Sequence, residues 1–580
     1  MKKKSNPMAL LRLVPYLLKY KWWLLLAFFL SAGSNLLALL GPYLSGKAID
    51  VIELGSGRVD LIKVAYYCVL LVGFYALASF LTYCLSILMV HVGKSIVARL
   101  RNDVFFKLTL LPVNYYDRQQ TGDIISRISY DIDLINTSLS SDLLQIATSL
   151  FTVVGSLVMM FVISWQLLLI FCVTVPLSIY LTSRITRRSK PMFRARSAKA
   201  GEFNGYIEET LSGLRAIIAY NREEYTTGQF SRVNQETSDA FYKSYYYSIQ
   251  GPTMGLVNNL SLAAISVWGA VLFLTSRITL GNLSSFVLYS RKFSGPINEV
   301  ANIIAELQST ASAAERIFKV LDESNEPADQ KDALELSEIK GQGAMEHVDF
   351  GYVENQLVLK DISFVAKAGK TVAIVGPTGS GKTTIINLLM RFYDAQKGAI
   401  LIDDHNILEV TRKSLRLAYS MVLQESWLFY GTIFENIAYG KPEATMEEVV
   451  KVAKAARIHR YIESLPQGYD TLLNEDAINI SQGQKQLLAI ARAMLLQSHM
   501  LILDEATSNI DTQTEIEIQK AMLSLMKNKT CFVIAHRLST IQNADLILVI
   551  RDGEIIESGN HKQLLKKQGF YHQLFMSQFN

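Results

Sequence analysis

Cysteine is scarce: four residues in 580, none forming a Cys-x-x-Cys pair. Cys68, Cys84 and Cys172 lie in apolar runs, and Cys531 lies in the β-rich run Thr530–Ile534. That spacing argues against a disulfide framework, a zinc site and dithiol chemistry, and the four read as buried free thiols. Charge is sparse too: 19% of residues are charged against 50% hydrophobic, an unusual balance for a water-soluble chain. The net charge of +5 is too small to point to nucleic acid. At this length more than one domain is expected.

What the chain has in quantity is long apolar runs. Candidate membrane spans fall at about 22–44, 64–90, 142–163, 165–183, 254–275 and 281–306, each near the ~20 residues that a helix needs to cross hydrocarbon. The first imitates a leader peptide, with Met-Lys-Lys-Lys ahead of Trp22–Leu30 and small residues at Ser31–Ser34. Its apolar stretch nevertheless continues to about Leu44, so a retained span is expected. Lys and Arg crowd two connectors, one holding Lys94, Arg99, Arg101, Lys107, Arg118 and Arg127, the other Arg184 to Lys199. The segment between the first two spans carries only Lys47 and Arg58 against Asp50, Glu53 and Asp60. The positive-inside rule then places both termini and both connectors in the cytoplasm.

Those connectors, 91–141 and 184–250, have helical composition with few breakers. They read as membrane helices prolonged into the cytoplasm, each pair joined by a short transverse turn, at Pro112–Gly122 and around Leu214–Glu224. After Leu321 the stretch Asp322–Asp332 is acidic and proline-containing, as a linker is. Beyond it β-branched runs (Thr371–Val375, His499–Leu503, Cys531–Ala535, Leu546–Ile550) alternate with helical stretches. The expected architecture is a multidomain chain: an all-α six-helix transmembrane domain over 1–321, a linker over 322–340, and a soluble α/β domain over 341–580.

Gly376-Pro377-Thr378-Gly379-Ser380-Gly381-Lys382-Thr383 fits the phosphate-binding P-loop pattern, between a strand-like run and a helix-like one opening at Thr384. Glycines let successive backbone N–H groups wrap a phosphate, and the helix N-terminus adds a favourable dipole. Lys382 is expected to reach the β- and γ-phosphates of ATP, and Thr383 to ligate Mg2+. Met500–Glu505 reads as a buried strand ending in two acids. Asp504 is the candidate for the magnesium shell, and Glu505 for orienting or deprotonating the attacking water.

From these motifs the chain resembles the ATP-binding cassette (ABC) family, in particular bacterial exporters that fuse membrane and ATPase domains. Ile480-Ser481-Gln482-Gly483-Gln484, with the helix after it, resembles the family's signature loop. Gln424 resembles the Q-loop glutamine, placed to touch magnesium. Ser508–Asp511 resembles the D-loop, Ile534–Thr540 the switch segment carrying His536, and Tyr352 the aromatic that stacks on adenine. Asn204–Glu209 and Asn221–Glu224 extend the likeness into the membrane half. The resemblance makes 341–580 an α/β P-loop ATPase domain with a helical subdomain, and implies two such domains facing head to tail. ATP then lies between one P-loop and the partner's Ser481, Gly483 and Gln484, and His536 positions Glu505 and water.

Three features depart from the common pattern: Gln482 replaces a glycine of the signature, Asn509-Ile510 replaces Ala-Leu in the D-loop, and Asn474–Ala477 lacks the frequent Glu-x-Gly form. With Glu505 intact, the combination resembles the consensus Walker B subunit of heterodimeric exporters, so a heterodimer is expected over a homodimer. The aromatic-rich spans suit an amphipathic or hydrophobic cargo (drug, lipid or peptide) leaving the cytoplasm of a bacterial cell, and membrane lipid is a further partner. Arg291 and Lys292, charges near the sixth span, are functional candidates. No processing domain precedes the first span, which argues against a dedicated peptide-maturing exporter. An ATP-gated channel or regulatory subunit is the alternative; an importer fits less well, since importers usually separate membrane and ATPase parts.

Overall fold

The computed structural model describes residues 8–52, 59–247, 250–353, 355–423, 426–473, 480–504, 511–534 and 541–579. The chain divides into two compact units. One comprises 1–109 with 121–323, the other 110–120 with 324–580.

The first unit is helical. Long helices at Lys21–Ile52, Leu61–Thr109, Leu143–Ile163, Trp165–Ser212, Gln250–Leu274 and Leu280–Leu321 cover the six apolar runs, as they must in lipid, where only an internally hydrogen-bonded backbone is tolerated. The second and fourth are 49 and 48 residues long. At ~1.5 Å per residue that is about 70 Å, over twice the ~30 Å of hydrocarbon, so both continue far beyond it. Among the described residues, four stretches are apolar and long enough to cross a membrane unaided: Lys21–Ile52, Leu61–Thr109, Thr121–Ile163 and Gly255–Leu274. Short helices stand at both expected transverse turns, Val113–Asp117 and Leu214–Ala219.

Two π-helical turns, Arg127–Asp131 and Ser138–Asp142, interrupt the helical run that leads into Leu143–Ile163, and each ends on a buried aspartate. Asp131 is neutralised by a two-pronged bond from Arg316, at 2.8 and 2.5 Å. The first and sixth long helices approach very closely. A Cβ placed on Gly46 would lie 2.4 Å from the Gly281 carbonyl oxygen, the kind of contact that small residues permit between membrane helices. Asp50 seals the same end, accepting from Gly281 N at 2.8 Å and Thr279 Oγ1 at 3.0 Å. One expectation fails here: Cys68 and Cys172 are exposed and Cys84 half-buried, leaving only Cys531 buried. Apolar composition signals burial only where the surroundings are water, and a membrane helix turns apolar side chains outward to lipid.

In the second unit the strands are β1 (Gly343–Phe350), β2 (Leu359–Ala366), β3 (Thr371–Val375), β4 (Lys397–Ile402), β5 (His405–Asn406), β6 (Tyr419–Val422), β7 (Gly431–Thr432), β8 (Leu472–Leu473), β9 (Met500–Asp504), β10 (Thr530–Ile534), β11 (Leu546–Arg551) and β12 (Glu554–Gly559). An antiparallel sheet runs β2-β1-β4-β5; a larger one runs β12-β11-β3-β10-β9-β6, parallel except for β12. The parallel strands are largely hydrophobic because both their faces are covered; β10 is buried throughout. The acidic segment ahead of β1 is strapped down. Arg416 grips Glu326 at 3.2 and 2.5 Å, and Arg412 meets Asp329 at 2.9 Å.

Candidate functional site

Register explains why distant motifs converge. Ile534 of β10 pairs with Asp504 of β9 on one side and Ile374 of β3 on the other. The carboxyl ends of these three parallel strands therefore share one edge of the sheet, the edge at which such sheets bind ligands. The P-loop comes directly after β3. Gln424, Glu505 and His536 come after β6, β9 and β10 in sequence, and they lie outside the described residues, as do Asn474–Ala477 and Ser508–Ile510.

The P-loop is built to receive an anion. Gly379 and Gly381 take φ of 81° and 102°, values that β-carbon-bearing residues avoid. A Cβ on Gly381 would also lie 2.6 Å from Leu359 Cδ2. Gly381 opens the helix Lys382–Leu389 in a left-handed conformation, and no side chain caps it. Ser380 Oγ is buried with no hydrogen-bond partner among the described residues. Lys382 Nζ donates to the carbonyls of Gly376 and Pro377, each at 2.9 Å. Burial pushes the Lys382 ammonium below the ordinary lysine range, and the nearby Asp504 carboxylate opposes that shift. Pro377, Thr378 and Thr383 are exposed and Thr384 is buried. Unsatisfied helix N–H groups, an orphan hydroxyl and an ammonium held on neutral carbonyls fit a polyphosphate, and Asp504 with the Thr383 hydroxyl is an oxygen donor set suited to Mg2+.

Tyr352 stands beside this loop. Its hydroxyl donates to Thr384 Oγ1 at 3.2 Å and accepts from Asn387 Nδ2 at 3.1 Å. Its ring meets Phe350 and Tyr393 edge-on, with centroids 5.0 Å apart in each case. Tyr393 in turn donates its hydroxyl to Asp117, and Leu110 O accepts from Glu326 N at 2.9 Å. The first transverse turn is thereby fastened to the unit that carries the P-loop. Burial first, and then the Asp117 bond, raise the Tyr393 phenol above its usual range.

The signature segment caps a helix, Gln482–Leu495. Ser481 Oγ accepts from Gln484 N at 3.3 Å, and Gln484 Oε1 accepts from Ser481 N at 2.9 Å, a reciprocal capping box. Gly483 is buried, whereas Gln482 is exposed at the first helical position. Asp511 caps the helix Thr512–Met526 by accepting from Thr514 N at 2.9 Å, a bond that holds its carboxyl below the usual range.

Arg492, inside the helix that the signature resemblance covers but given no role by it, locks this helix to the segment after Gln424. It donates to Asn436 O at 2.8 Å, Trp427 O at 3.0 Å and Asn436 Oδ1 at 3.1 Å. Its guanidinium lies 5.7 and 5.4 Å from the rings of Phe429 and Tyr439, which stack at 4.3 Å. Burial lowers its pKa from the usual arginine value. Neither Arg492 nor Tyr393 had a signal in the sequence, since their partners lie 56 and 276 positions away.

Comparison with known proteins agrees with this geometry. Residues 24–297 match the family model of the ABC transporter transmembrane region, and 359–508 match the ABC transporter model. A protein of Mycobacterium tuberculosis (strain CDC 1551 / Oshkosh), named a fatty acid ABC transporter ATP-binding/permease protein, is 44% identical over 521 residues, covering 90% of this chain and 82% of the relative. The chain belongs to the ABC transporter family. This ABC transporter is also 41% identical over 579 residues to YfiC of Bacillus subtilis (strain 168), an uncharacterised ABC transporter ATP-binding protein, covering 100% and 95% of the two chains. Its fold matches a bacterial Atm1-family ABC exporter solved with ATP bound, at a TM-score of 0.77 and 29% identity over 97% of this chain and 100% of that one. It is a multi-pass membrane protein, an exporter half-transporter of the kind that forms dimers, with a helical transmembrane domain followed by a nucleotide-binding ATPase domain.

Proposed function

We propose that this half-transporter hydrolyses ATP with Mg2+ to drive an amphipathic or hydrophobic cargo out of the cytoplasm by alternating access. Its membrane domain is taken as 1–321, its linker as 322–340 and its ATPase domain as 341–580, with both termini cytoplasmic. The observation that carries the reading is the P-loop: an uncapped helix start, the orphan Ser380 hydroxyl and Lys382 poised on two carbonyls. An entering phosphate competes with those carbonyls for the Lys382 ammonium and takes the free N–H groups. Thr383, Asp504 and Gln424 hold magnesium, which shields the phosphates; Glu505 orients water and His536 supports it. Tyr352 packs on adenine, and a partner's Ser481, Gly483 and Gln484 close the site, with Asp511 at the seam. The fatty acid named for the Mycobacterium relative supports an acyl cargo.

Intact Glu505 beside an altered signature at Gln482 favours a heterodimer, in which this P-loop completes the working site. Vesicle transport tests the whole reading. ATP-dependent accumulation of an acyl probe against its gradient, abolished in Glu505→Gln, is expected. Downhill flux at full rate in Glu505→Gln, with no uphill transport in the unaltered protein, would instead support a gated channel. Robust ATPase turnover by this chain purified alone would overturn the heterodimer.

A further inference from the structure

The sixth long helix holds the first through a ladder of side chains on main-chain carbonyls. Ser285 Oγ donates to Pro42 O at 2.8 Å, Tyr289 donates its hydroxyl to Leu39 O, and Lys292 Nζ donates to Ala38 O at 2.5 Å. The last rung has its origin in covalent structure. Within the helix Lys21–Ile52 the carbonyl of Ala38 should accept from the N–H four residues on, but that residue is Pro42, which has none. Lys292 takes the orphaned acceptor. Lys292 is itself at a break, since Pro296 removes the N–H that its own carbonyl would receive.

Lys292 lies 12 residues after Leu280, about 18 Å along its helix, inside the apolar run 281–306 read from the sequence as the sixth span. A cation there is costly unless matched by charge or function. The ladder meets it with a neutral carbonyl, and among the described residues no carboxylate pairs with it. One carbonyl satisfies one of the three donors of an ammonium. The neighbouring Arg291 is exposed, which adds to the positive field at this depth.

We propose, resting on the exporter reading above, that Lys292 is the anchor for an anionic head on the cargo, a carboxylate or phosphate at the end of an acyl chain. The head draws the ammonium off Ala38 O, because a charge-assisted bond to an anion is stronger than one to a neutral carbonyl. Binding therefore unfastens the lowest rung between the first and sixth helices at the two proline breaks, and Ser285 and Tyr289 keep the rungs above it.

The test is binding to the full-length protein in nanodiscs at pH 8, with oleate, phosphatidic acid and oleyl alcohol each displacing a fluorescent acyl probe. At least one anion is expected to bind about ten-fold more tightly than the alcohol, and whether oleate or phosphatidic acid does so tells a free amphiphile from a bilayer lipid. Lys292→Gln is expected to abolish the preference and Lys292→Arg to keep it, with unchanged thermal unfolding establishing that both fold. Pro42→Ala supplies the missing N–H to Ala38 O, freeing the ammonium, and is expected to tighten anion binding by roughly three-fold or more. A charge preference that survives Lys292→Gln, or a Pro42→Ala protein that binds anions no better, overturns the assignment. Because binding is read without ATP, a protein that keeps the Lys292-dependent preference but moves nothing uphill would sink the exporter reading alone.

Discussion

Replacing Arg492 with alanine should loosen the tie between the signature helix and the segment 426–440. The structure sets the size of the effect. Three hydrogen bonds are lost, at 2.8, 3.0 and 3.1 Å, together with contact to the Phe429–Tyr439 stack. Asn436 Oδ1 keeps its bond from Phe429 N at 2.9 Å, so that acceptor is not stranded, whereas Asn436 O loses its arginine partner inside a residue only 2% exposed. A charged hydrogen bond contributes about 1.5–3 kcal/mol and a cation–π contact about 0.5–2 kcal/mol, but these terms overlap on one side chain, and a net loss of about 3 kcal/mol is reasonable. Hydrogen exchange on the full-length protein reads this directly: amides in 426–440 that exchange by local opening should speed up on the order of 100-fold. Arg492→Lys should fall between, since an ammonium cannot span Trp427 O and Asn436 O as the guanidinium fork does. Exchange within three-fold of the unaltered protein in Arg492→Ala would refute the lock.

Gly46→Ala should cost roughly 1–3 kcal/mol, because its Cβ meets the Gly281 carbonyl at 2.4 Å. Gly73→Ala, with open space around it, should leave the unfolding midpoint in detergent unchanged or raised. Tyr393→Phe keeps the ring packing but removes the bond to Asp117; faster exchange in 110–120, with Tyr352 undisturbed by fluorescence, is expected, and unchanged exchange there would count against the fastening. Cys531, its thiol pushed up to about 12 by burial, stays in the acid form at pH 8 and should resist alkylation until the domain unfolds. Mass spectrometry after maleimide treatment, with and without denaturant, reads this.

The P-loop was legible in the chain because its chemistry is contiguous. Gly376–Thr383 encodes its own loop, since glycine at 379 and 381 permits φ values closed to other residues, and the flanking apolar runs specify a buried strand and a helix. The membrane helices were legible for a similar reason: length and apolarity are one-dimensional properties. The cysteines misled because apolar surroundings in sequence mean core in water but outer surface in lipid. Lys292 stood out as a charge, yet its meaning depended on Ala38, 254 positions away, whose carbonyl is free only because Pro42 lies four residues on in the same helix. The same holds for Arg492 on Asn436 and for Tyr393 on Asp117. The sequence by itself determined the motifs, the spans and the order of domains, each written in neighbouring residues. Only the tertiary structure decided which carbonyl, ring or carboxylate each isolated cation and hydroxyl met, because hydrogen bonds depend on distance in space and leave no periodic mark along the chain.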